Sequence, residues 1–345
     1  MNERVLQSNN VMGNRSAVLA DEAPKHDLRE CEIAKPPCWD PMAPTIFHED
    51  WWLEIATGGR FAIAEVKDAG RTVGRLPYCV TSRFGMKMIR MPALTYFLGP
   101  AVDEGVGNPT TRSLRRLEIT REMLGQLPRT AWQYVKCHRR IPDVIAFQEL
   151  GFRAYVQFTH EIAPNPVAVL WQQMRSKTRN AIRRATELFS VTEMTDAAEF
   201  MRLFATNLEA KGLKIDIDVP LCQKIIASAL GRNRGAILAA RDENNQLVAA
   251  NVCVWDELSY YYLLSTRCDG AGNGAISLLL WEAIKESSRK GLLFDFAGLG
   301  NAGSVRLYSG FGGSVSGRYT AVRSTRLARL LNEVKFLFAP ENPFY

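Results

Sequence analysis

A glycine-rich turn between a strand and a helix is the first stretch whose residues could do chemistry. The predicted strand at residues 259–266 runs into a turn that contains Gly270, Gly272 and Gly274, and an amphipathic helix follows. Glycines adopt positive φ angles and place no Cβ in the way of a ligand, and a helix N-terminus offers unpaired N–H groups. The turn could therefore hold a pyrophosphate, although a purely structural tight turn has the same composition.

A tyrosine beside a second glycine-rich turn is the next candidate. Tyr308 comes just before Gly310-Phe311-Gly312. A tyrosine hydroxyl next to a phosphate-binding turn can protonate a leaving group. A core aromatic ring whose hydroxyl is hydrogen-bonded is the alternative, and both interpretations stay open.

A basic stretch supplies the third group of candidates. Residues 171–185 are predicted to form one helix, with Arg175, Arg179 and Arg183 in a stripe at i, i+4 and i+8. Arginine binds phosphate and carboxylate groups through two parallel hydrogen bonds. The stripe is interpreted either as one side of an anion-binding cleft or as a solvated basic face.

The elements that must position these residues follow from hydrophobic periodicity. Strands are predicted at residues 61–66, 73–80, 86–91, 132–136, 152–162, 235–240, 247–255, 259–266 and 292–296, and helices at 113–127, 142–150, 197–211 and 220–230. Helices around a mixed sheet give an α/β (α+β) class. A short helix, a Gly/Phe turn and a strand occur at residues 146–162 and again from residue 307, which indicates two copies of one fold.

These motifs follow one another in an order that is similar to that of a known superfamily. A strand, Arg-x-x-Gly-x-Gly, a helix, a strand and Leu-Tyr-x-x-Phe-Gly resemble the acetyl-CoA site of the GNAT superfamily. Phe294-Asp295-Phe296-x-Gly298, Phe311-Gly312-Gly313 and the basic stretch resemble the FemAB-like branch of GNAT-fold acyltransferases. The resemblance covers about residues 165–323 and, more loosely, 45–163, and it implies tandem GNAT-like folds with mixed sheets flanked by helices.

The domain organisation expected from this resemblance has four parts. Residues 1–42 are a polar, proline-containing flexible tail, and residues 43–163 are a first, degenerate GNAT-like unit. Prolines near residue 164 mark the boundary to the second unit, residues 164–323, which carries the acyl-donor site. Residues 324–345 form a C-terminal amphipathic helix and tail.

The resemblance also implies roles for individual residues. The CoA pyrophosphate would be held by Arg267, Gly270, Gly272, Asn273 and Gly274. Tyr308 would be the general acid, and Asp295 is the first candidate for the base, ahead of Glu209 and Asp269. A buried structural carboxylate is the equal alternative for Asp295. The acceptor would contact Arg175, Arg179, Arg183 and Tyr262. No metal and no permanently bound cofactor is expected, and acyl-CoA is the expected co-substrate.

One departure from the family pattern bears on the acyl donor. FemAB-type peptidoglycan transferases place Phe-Lys where this chain has Leu307-Tyr308. The missing lysine argues against aminoacyl-tRNA and favours acyl-CoA. The expected function is acyl transfer to an amine acceptor, a small molecule or glycan precursor in cell-envelope or exopolysaccharide biosynthesis. Alternatives are an aminoacyl-tRNA-dependent transferase, a non-catalytic GNAT-like scaffold and, less favoured, a nucleic-acid binder.

Composition and charge set the expected location and partners. The chain has a net charge of +7, which favours anionic partners, and seven scattered cysteines, which suit a reducing cytoplasm. No apolar run approaches the length of a transmembrane helix, and no apolar leader begins the chain. A basic amphipathic helix is predicted near the C-terminus, where it either lies on an anionic membrane surface or packs onto the domain. Its apolar face comprises Leu327, Leu330, Leu331, Val334 and Phe338.

Overall fold

The computed structural model describes residues 39–83, 85–213, 215–269 and 272–330. The helices are α1 Asp50–Thr57, α2 Pro109–Gly125, α3 Ile145–Glu149, α4 Val167–Gln173, α5 Ser176–Leu188, α6 Ala197–Ala210, α7 Val219–Gly231, α8 Gly272–Arg289 and α9 Ala302–Tyr308. The strands are β1 Phe61–Asp68, β2 Arg71–Arg83, β3 Met86–Arg90, β4 Ala101–Val102, β5 Trp132–Lys136, β6 Arg153–Ile162, β7 Ser190–Met194, β8 Gly235–Arg241, β9 Leu247–Trp255, β10 Ser259–Arg267, β11 Leu293–Asp295 and β12 Ser314–Ser324.

The strands form one mixed sheet. Their order is β1-β2-β3-β5-β12-β6-β11-β10-β9-β8-β7, and β4 pairs with β2. The pairs β3–β5 and β10–β11 are parallel, and the other neighbours are antiparallel. A mixed sheet with helices packed against it confirms the predicted α/β (α+β) class.

The two repeated segments meet at the centre of the sheet. β6 follows α3 and Gly151, and β12 follows α9 and a glycine-rich turn, so each is a short helix, a turn and a strand as predicted. The two strands pair antiparallel from Ser314 opposite Glu161 to Val322 opposite Arg153. β12 also pairs with β5, so the last strand lies among strands from the first half of the chain. The predicted domain boundaries stay a prediction.

Helices cover both faces of the sheet around β10. Because side chains alternate along a strand, Tyr261 and Leu263 face a core that includes residues of α1, α6 and α7. Tyr260 and Tyr262 face the opposite core, which includes residues of α5 and α8. A third core joins α2 and α3 to β1, β2, β5 and β12. β10 is therefore buried on both faces, and packing from both sides fixes its position.

The basic stretch is not one helix, so the prediction of a continuous helix over residues 171–185 is wrong. α4 ends at Gln173, and Met174 and Arg175 have extended backbones with ψ of 148° and 140°. The break has a tertiary cause, because the Arg175 amide donates to the Gly310 carbonyl over 3.0 Å instead of continuing a helix. Arg175 is consequently the N-cap residue of α5 and does not continue the helical stripe of Arg179 and Arg183.

Most other elements begin and end within a few residues of their predicted bounds. The largest shift is at α2, which begins at Pro109 because the Asn108 side chain caps its first turn and proline is favoured there. Residues 1–38 of the predicted N-terminal tail lie outside the described residues. So do Leu331, Val334 and Phe338 of the predicted C-terminal helix. Within the described ranges, none of the helices has the length and apolar character needed to span a bilayer.

Candidate active site

An opening between β10 and β11 is the feature that positions the candidate residues. The two parallel strands pair only from Ser259 opposite Leu293 to Tyr261 opposite Asp295. β10 then continues to Arg267 along β9, whereas β11 ends. Beyond Tyr261, the β11 side of β10 therefore has no strand partner in the part of the chain that the structure describes.

A bulge in β10 lies at the start of this opening. The register of β10 against β9 shifts between Tyr262 and Leu264. The carbonyl of Leu263, at the bulge, accepts a hydrogen bond of 2.7 Å from the hydroxyl of Tyr96. The loop that carries Tyr96 thus reaches across to the point where the two strands separate, and backbone N–H groups along the opening can face a bound carbonyl group.

Tyr308 lies in an aromatic cluster on one side of the opening. Its ring stacks on Phe296, with ring centroids 4.1 Å apart, and meets Tyr262 edge-on at 6.1 Å. Burial raises the pKa of the Tyr262 hydroxyl well above its usual value, and the neighbouring Tyr308 raises it further. The structure therefore brings together Tyr262, Tyr308 and the residue that follows Asp295.

The second glycine-rich turn is needed for close packing. A Cβ at Gly310 would clash with Thr178 of α5, and one at Gly313 would clash with the carbonyl of Glu161. Gly312 has a φ of +83°, and a Cβ there would lie 3.1 Å from the backbone of Gln173. These contacts hold the end of α9 against α4 and α5, so this turn fixes the position of Tyr308.

The first glycine-rich turn leads directly into α8. Gly272 begins the helix with a φ of +62° and open space around its Cβ position. Gly274 packs on α5, since a Cβ there would lie 3.3 Å from that of Ala185. Arg267 ends β10 at the same side of the sheet. Gly270 lies outside the described residues, as does the side chain of Asn273.

Asp295 belongs to a buried ion cluster. Its carboxylate accepts hydrogen bonds from Thr159 (2.6 Å), the Ala297 amide (2.7 Å) and Arg318 (3.0 Å). Arg318 also donates to Glu161, and both carboxylates are buried together with the guanidinium. The oxygens of Asp295 are thus already occupied by three donors, one of which is a buried guanidinium. These contacts favour a role for Asp295 in holding Arg318 over a role as base.

Lys136, at the end of β5, lies beside this cluster. Its ammonium nitrogen is 5.2 Å from the centre of the Phe97 ring, and the Arg318 guanidinium is 5.5 Å from the same ring. Burial lowers the pKa of Lys136 to about 8, an effect that Asp295 opposes and Arg318 reinforces. The adjacent His138 is also buried, and burial lowers its pKa to about 4.

The two other candidate bases lie at the far end of β10. Glu209 is exposed in the last turn of α6, and Asp269 is exposed just after β10. α6 is fixed to this end of the strand by a hydrogen bond of 2.9 Å from Asn207 to Thr266. Lys211 also donates to the Arg267 carbonyl over 3.2 Å. Both carboxylates therefore lie near the start of α8 and not at the bulge.

The arginines of the basic stretch have different surroundings. One terminal nitrogen of Arg179 donates to the Met174 carbonyl over 2.7 Å and to the Gln172 carbonyl over 3.0 Å, at the end of α4. Arg183 lies over the Trp171 ring at 5.4 Å, and Arg175 is exposed. Arg179 thus caps the carbonyl end of α4, and acceptor binding by the three arginines stays a prediction.

This cap gives a stability prediction. Arg179→Ala should lower the free energy of unfolding by about 1.5–3 kcal/mol, since hydrogen bonds to a charged group are lost at a helix end. Arg184→Ala is the matched control, because Arg184 is exposed on the same helix. The control should change stability by less than about 0.5 kcal/mol. Urea unfolding measures both, and equal stabilities of the two variants would show that the cap contributes nothing.

Several residues of the site were missed by the sequence reasoning. They are Lys136, Asn251 and Arg318. The side-chain amide of Asn251 is fully buried next to Ser265 of β10, and neither of its polar atoms has a hydrogen-bond partner in the described structure. No local motif marks these residues, because each is a single polar position in an ordinary strand or loop.

A separate cleft of about 650 Å³ lies between α5, α8 and strands β7–β9. None of the predicted site residues lines it, so it is not part of the opening at β10 and β11. Among the described residues, no group of three or more His, Cys, Asp or Glu side chains is arranged to hold a metal ion.

Comparison with known proteins supports the motif-based assignment. The model of the acetyltransferase (GNAT) domain matches residues 172–303, which include the opening and the start of α8. No match is found among curated protein sequences.

Solved structures share the fold at low sequence identity. FemX is 12% identical, covers 82% of this chain and 93% of its own, and has a TM-score of 0.62. The C-terminal domain of a putative lysylphosphatidylglycerol synthetase from Agrobacterium fabrum is 13% identical, with coverages of 83% and 95% and a TM-score of 0.50. L-PGS from Bacillus licheniformis is 13% identical, with coverages of 82% and 91% and a TM-score of 0.50. The chain therefore carries a GNAT acetyltransferase domain in residues 172–303, which makes it a transferase, and it shares its fold with FemX.

Proposed function

We propose that this protein transfers an acyl group from acyl-CoA to an amine acceptor at the opening between β10 and β11. The observation that carries the proposal is the separation of these strands beyond Tyr261 and Asp295, with Tyr308 at one side and the start of α8 at the end of β10. At the Arg267 end of β10, the start of α8 would bind the pyrophosphate. Near the bulge of β10, backbone groups and the Tyr308 hydroxyl would act on the thioester. This is the arrangement that thioester aminolysis needs.

The donor would lie along β10. Its pyrophosphate would meet the N–H groups at the start of α8, where Gly272, Asn273 and Gly274 lie, close to Arg267 at the end of β10. Gly270, the other residue predicted for this role, lies outside the described residues. The open space at Gly272 lets a phosphate approach the backbone. The acyl carbonyl would reach the bulge at Leu263, where backbone N–H groups stabilise the developing oxyanion.

The chemical step needs orientation, an oxyanion site and a proton for the leaving group. The amine nitrogen forms a bond to the thioester carbon, and the tetrahedral intermediate collapses as the carbon–sulfur bond breaks. Tyr308 gives a proton to the departing thiolate and recovers one from the amine nitrogen. The acceptor enters as an ammonium and first loses one proton to solvent or to an exposed carboxylate, for which Glu209 and Asp269 are the candidates and Asp295 is the less suitable one.

The acceptor is proposed to be an amine in cell-envelope or exopolysaccharide precursors. This assignment follows from the FemAB-like fold, and Arg175, Arg183 and Tyr262 are the proposed contacts. One terminal nitrogen of Arg179 caps α4, so only its other guanidinium N–H groups are proposed to contact the acceptor.

A reducing cytoplasm is the proposed location. Free thiols at Cys79, Cys137, Cys222, Cys253 and Cys268 suit such a compartment. Leu327 and Leu330 are 61% and 58% exposed in the last described turn, beside the exposed Arg326. These residues support peripheral contact with an anionic membrane through the C-terminal helix.

Aminoacyl transfer is the second candidate function. The name lysylphosphatidylglycerol synthetase, which belongs to a protein of the same fold, describes the attachment of a lysyl group to a lipid. An aminoacyl group is thus a possible donor group for a protein of this fold. Tyr308 stands where FemAB-type peptidoglycan transferases have a lysine, which favours acyl-CoA here.

The donor site gives a direct binding prediction. Acetyl-CoA at a hundredfold excess over its Kd should stabilise the native chain by about 2.7 kcal/mol, which raises the Tm by a few degrees for a chain of this length. Gly272→Asp should lose this shift, because it places a carboxylate where the pyrophosphate binds.

Gly70→Asp is the matched control for this variant. Gly70 and Gly272 both have positive φ angles and open Cβ positions, so aspartate causes similar backbone strain at either position. Gly70 lies between β1 and β2. The control should keep the full rise in Tm with acetyl-CoA. If Gly272→Asp also keeps it, the first turn of α8 does not bind the donor.

A further inference from the structure

The buried ion cluster at the centre of the sheet contains one cation, Lys136, that has no ion pair among the described residues. The half-buried Lys136 and the buried Arg318 lie beside two buried carboxylates, Glu161 and Asp295, and the exposed Arg139 reaches Glu161 from the surface. Arg139 and Arg318 pair with the carboxylates, and Lys136 forms no ion pair among the described residues. Burying a charge is costly unless a partner compensates it, so this arrangement favours an additional anion.

Unused hydrogen-bond donors point in the same direction. Four of the five guanidinium N–H groups of Arg318 have acceptors, which are Ser316, Gly317, Glu161 and Asp295. The fifth, on Nε, is buried and has no partner in the described structure. The ammonium group of Lys136 faces the π surface of Phe97 and donates to no acceptor within the described ranges. Donor groups without acceptors suit an acceptor-only ligand.

The location of Lys136 connects it to the opening. Its ammonium nitrogen lies 3.8 Å from the position that a Cβ on Gly298 would occupy. Gly298 has a φ of +146° and belongs to the segment that leaves β11 at the opening. Phe97, which lies next to both cations, directly follows Tyr96, whose hydroxyl binds the bulge of β10. The glycine leaves space beside the ammonium group on the opening side.

We propose that Lys136, backed by Arg318, binds an anionic group of the acceptor, either a carboxylate or a phosphate, beside Gly298. The inference rests on the proposed function and makes it more specific, since it assigns an anionic amine as the acceptor class. Cations at this position would hold the anionic group on the face of the sheet opposite Tyr308, because Tyr308 packs with Phe296 and Tyr262 on the other face. The rest of the acceptor would pass through the opening towards its proposed contacts at Tyr262, Arg175 and Arg183.

The charge of Lys136 sets the pH dependence of this binding. Burial lowers its pKa to about 8, with Asp295 raising it and Arg318 lowering it, and Glu161 and Arg139 complete the nearby charges. His138 stays neutral in this range, since burial holds its pKa at about 4. Anion affinity should therefore fall as the pH rises through about 8, where the ammonium loses its proton.

The test is a calorimetric titration of the full chain with inorganic phosphate and, separately, with sodium acetate at constant ionic strength. Wild type is expected to bind at least one of them saturably, with a stoichiometry of one. Tighter phosphate binding identifies a phosphorylated acceptor, and tighter acetate binding identifies a carboxylated one. Lys136→Met should weaken binding about tenfold or more, as expected for the loss of a hydrogen bond between charged groups.

Two further variants make the result specific. Lys136→Arg should retain binding and lose the decline above pH 8, because arginine stays charged. Lys290→Met is the matched control, since Lys290 also lies over an aromatic ring, that of Trp255, but outside the cluster. Absence of saturable binding to wild type, or equal anion affinities for wild type and Lys136→Met, would overturn the proposal. No acyl donor is present, so this outcome is independent of whether acetyl-CoA binds.

Discussion

Tyr308→Phe should lower the turnover number by about 10²–10⁴ while the Tm changes little. The substitution keeps the ring, which stacks on Phe296 at 4.1 Å and meets Tyr262 at 6.1 Å. Only the hydroxyl that we propose to protonate the leaving thiolate is removed. Thiol release from acetyl-CoA in the presence of an amine acceptor measures the rate, and a thermal melt measures the fold.

The control for this experiment is Tyr155→Phe. Tyr155 is 50% exposed on β6 and should keep the wild-type rate. A donor with a better leaving group needs less protonation, so an activated thioester should partly restore the rate of Tyr308→Phe. If Tyr308→Phe turns over acetyl-CoA at nearly the wild-type rate, the tyrosine is a packing residue only.

Arg318→Met should lower the free energy of unfolding by about 3–5 kcal/mol, the cost of breaking a buried ion pair from one side. Arg318 donates to Glu161 and Asp295, which are 6% and 1% exposed. Methionine fills similar volume but leaves both buried carboxylates without their main partner. Equilibrium unfolding in guanidinium chloride measures the loss.

Arg121→Met is the control for the ion cluster. Arg121 pairs with Glu149 at 2.7 Å, and both side chains are more than 40% exposed. Exposed pairs contribute about 0–1 kcal/mol, so this variant should stay near wild type. Losses of similar size in the two variants would mean that the cluster around Arg318 adds no more stability than a surface pair.

The features that could be predicted from the sequence are those determined by residues close together in the chain. Hydrophobic periodicity located α6, α7, β8, β9 and β10 within a residue or two of their observed bounds. The glycines around α8 and α9 marked backbone positions where a side chain would be strained or would clash, as at Gly272 and Gly313. The order of motifs was sufficient to indicate the GNAT domain that the family model matches at residues 172–303.

Long-range contacts account for what the sequence reasoning missed. Lys136, Glu161, Asp295 and Arg318 come from four strands, and they meet only because β12 lies between β5 and β6. No periodicity within one segment predicts that strand order. The break after α4 is similar, since the Gly310 carbonyl holds the Arg175 amide from outside the helix. Asp295 was the first candidate for the base, with a buried structural carboxylate as the alternative, and its ion pair with Arg318, which favours the alternative, became visible only with the sheet assembled.

The choice of acyl donor is tested most directly by calorimetric titration of the full chain with acetyl-CoA and, in parallel, with aminoacyl-tRNA. We expect acetyl-CoA to bind with a stoichiometry of one, to lose affinity in Gly272→Asp and to keep it in Tyr308→Phe. Aminoacyl-tRNA should show no saturable binding, and its ester should remain intact. If neither CoA nor acetyl-CoA binds at millimolar concentration while aminoacyl-tRNA binds and its ester is consumed, the donor is aminoacyl-tRNA and acyl-CoA transfer is contradicted.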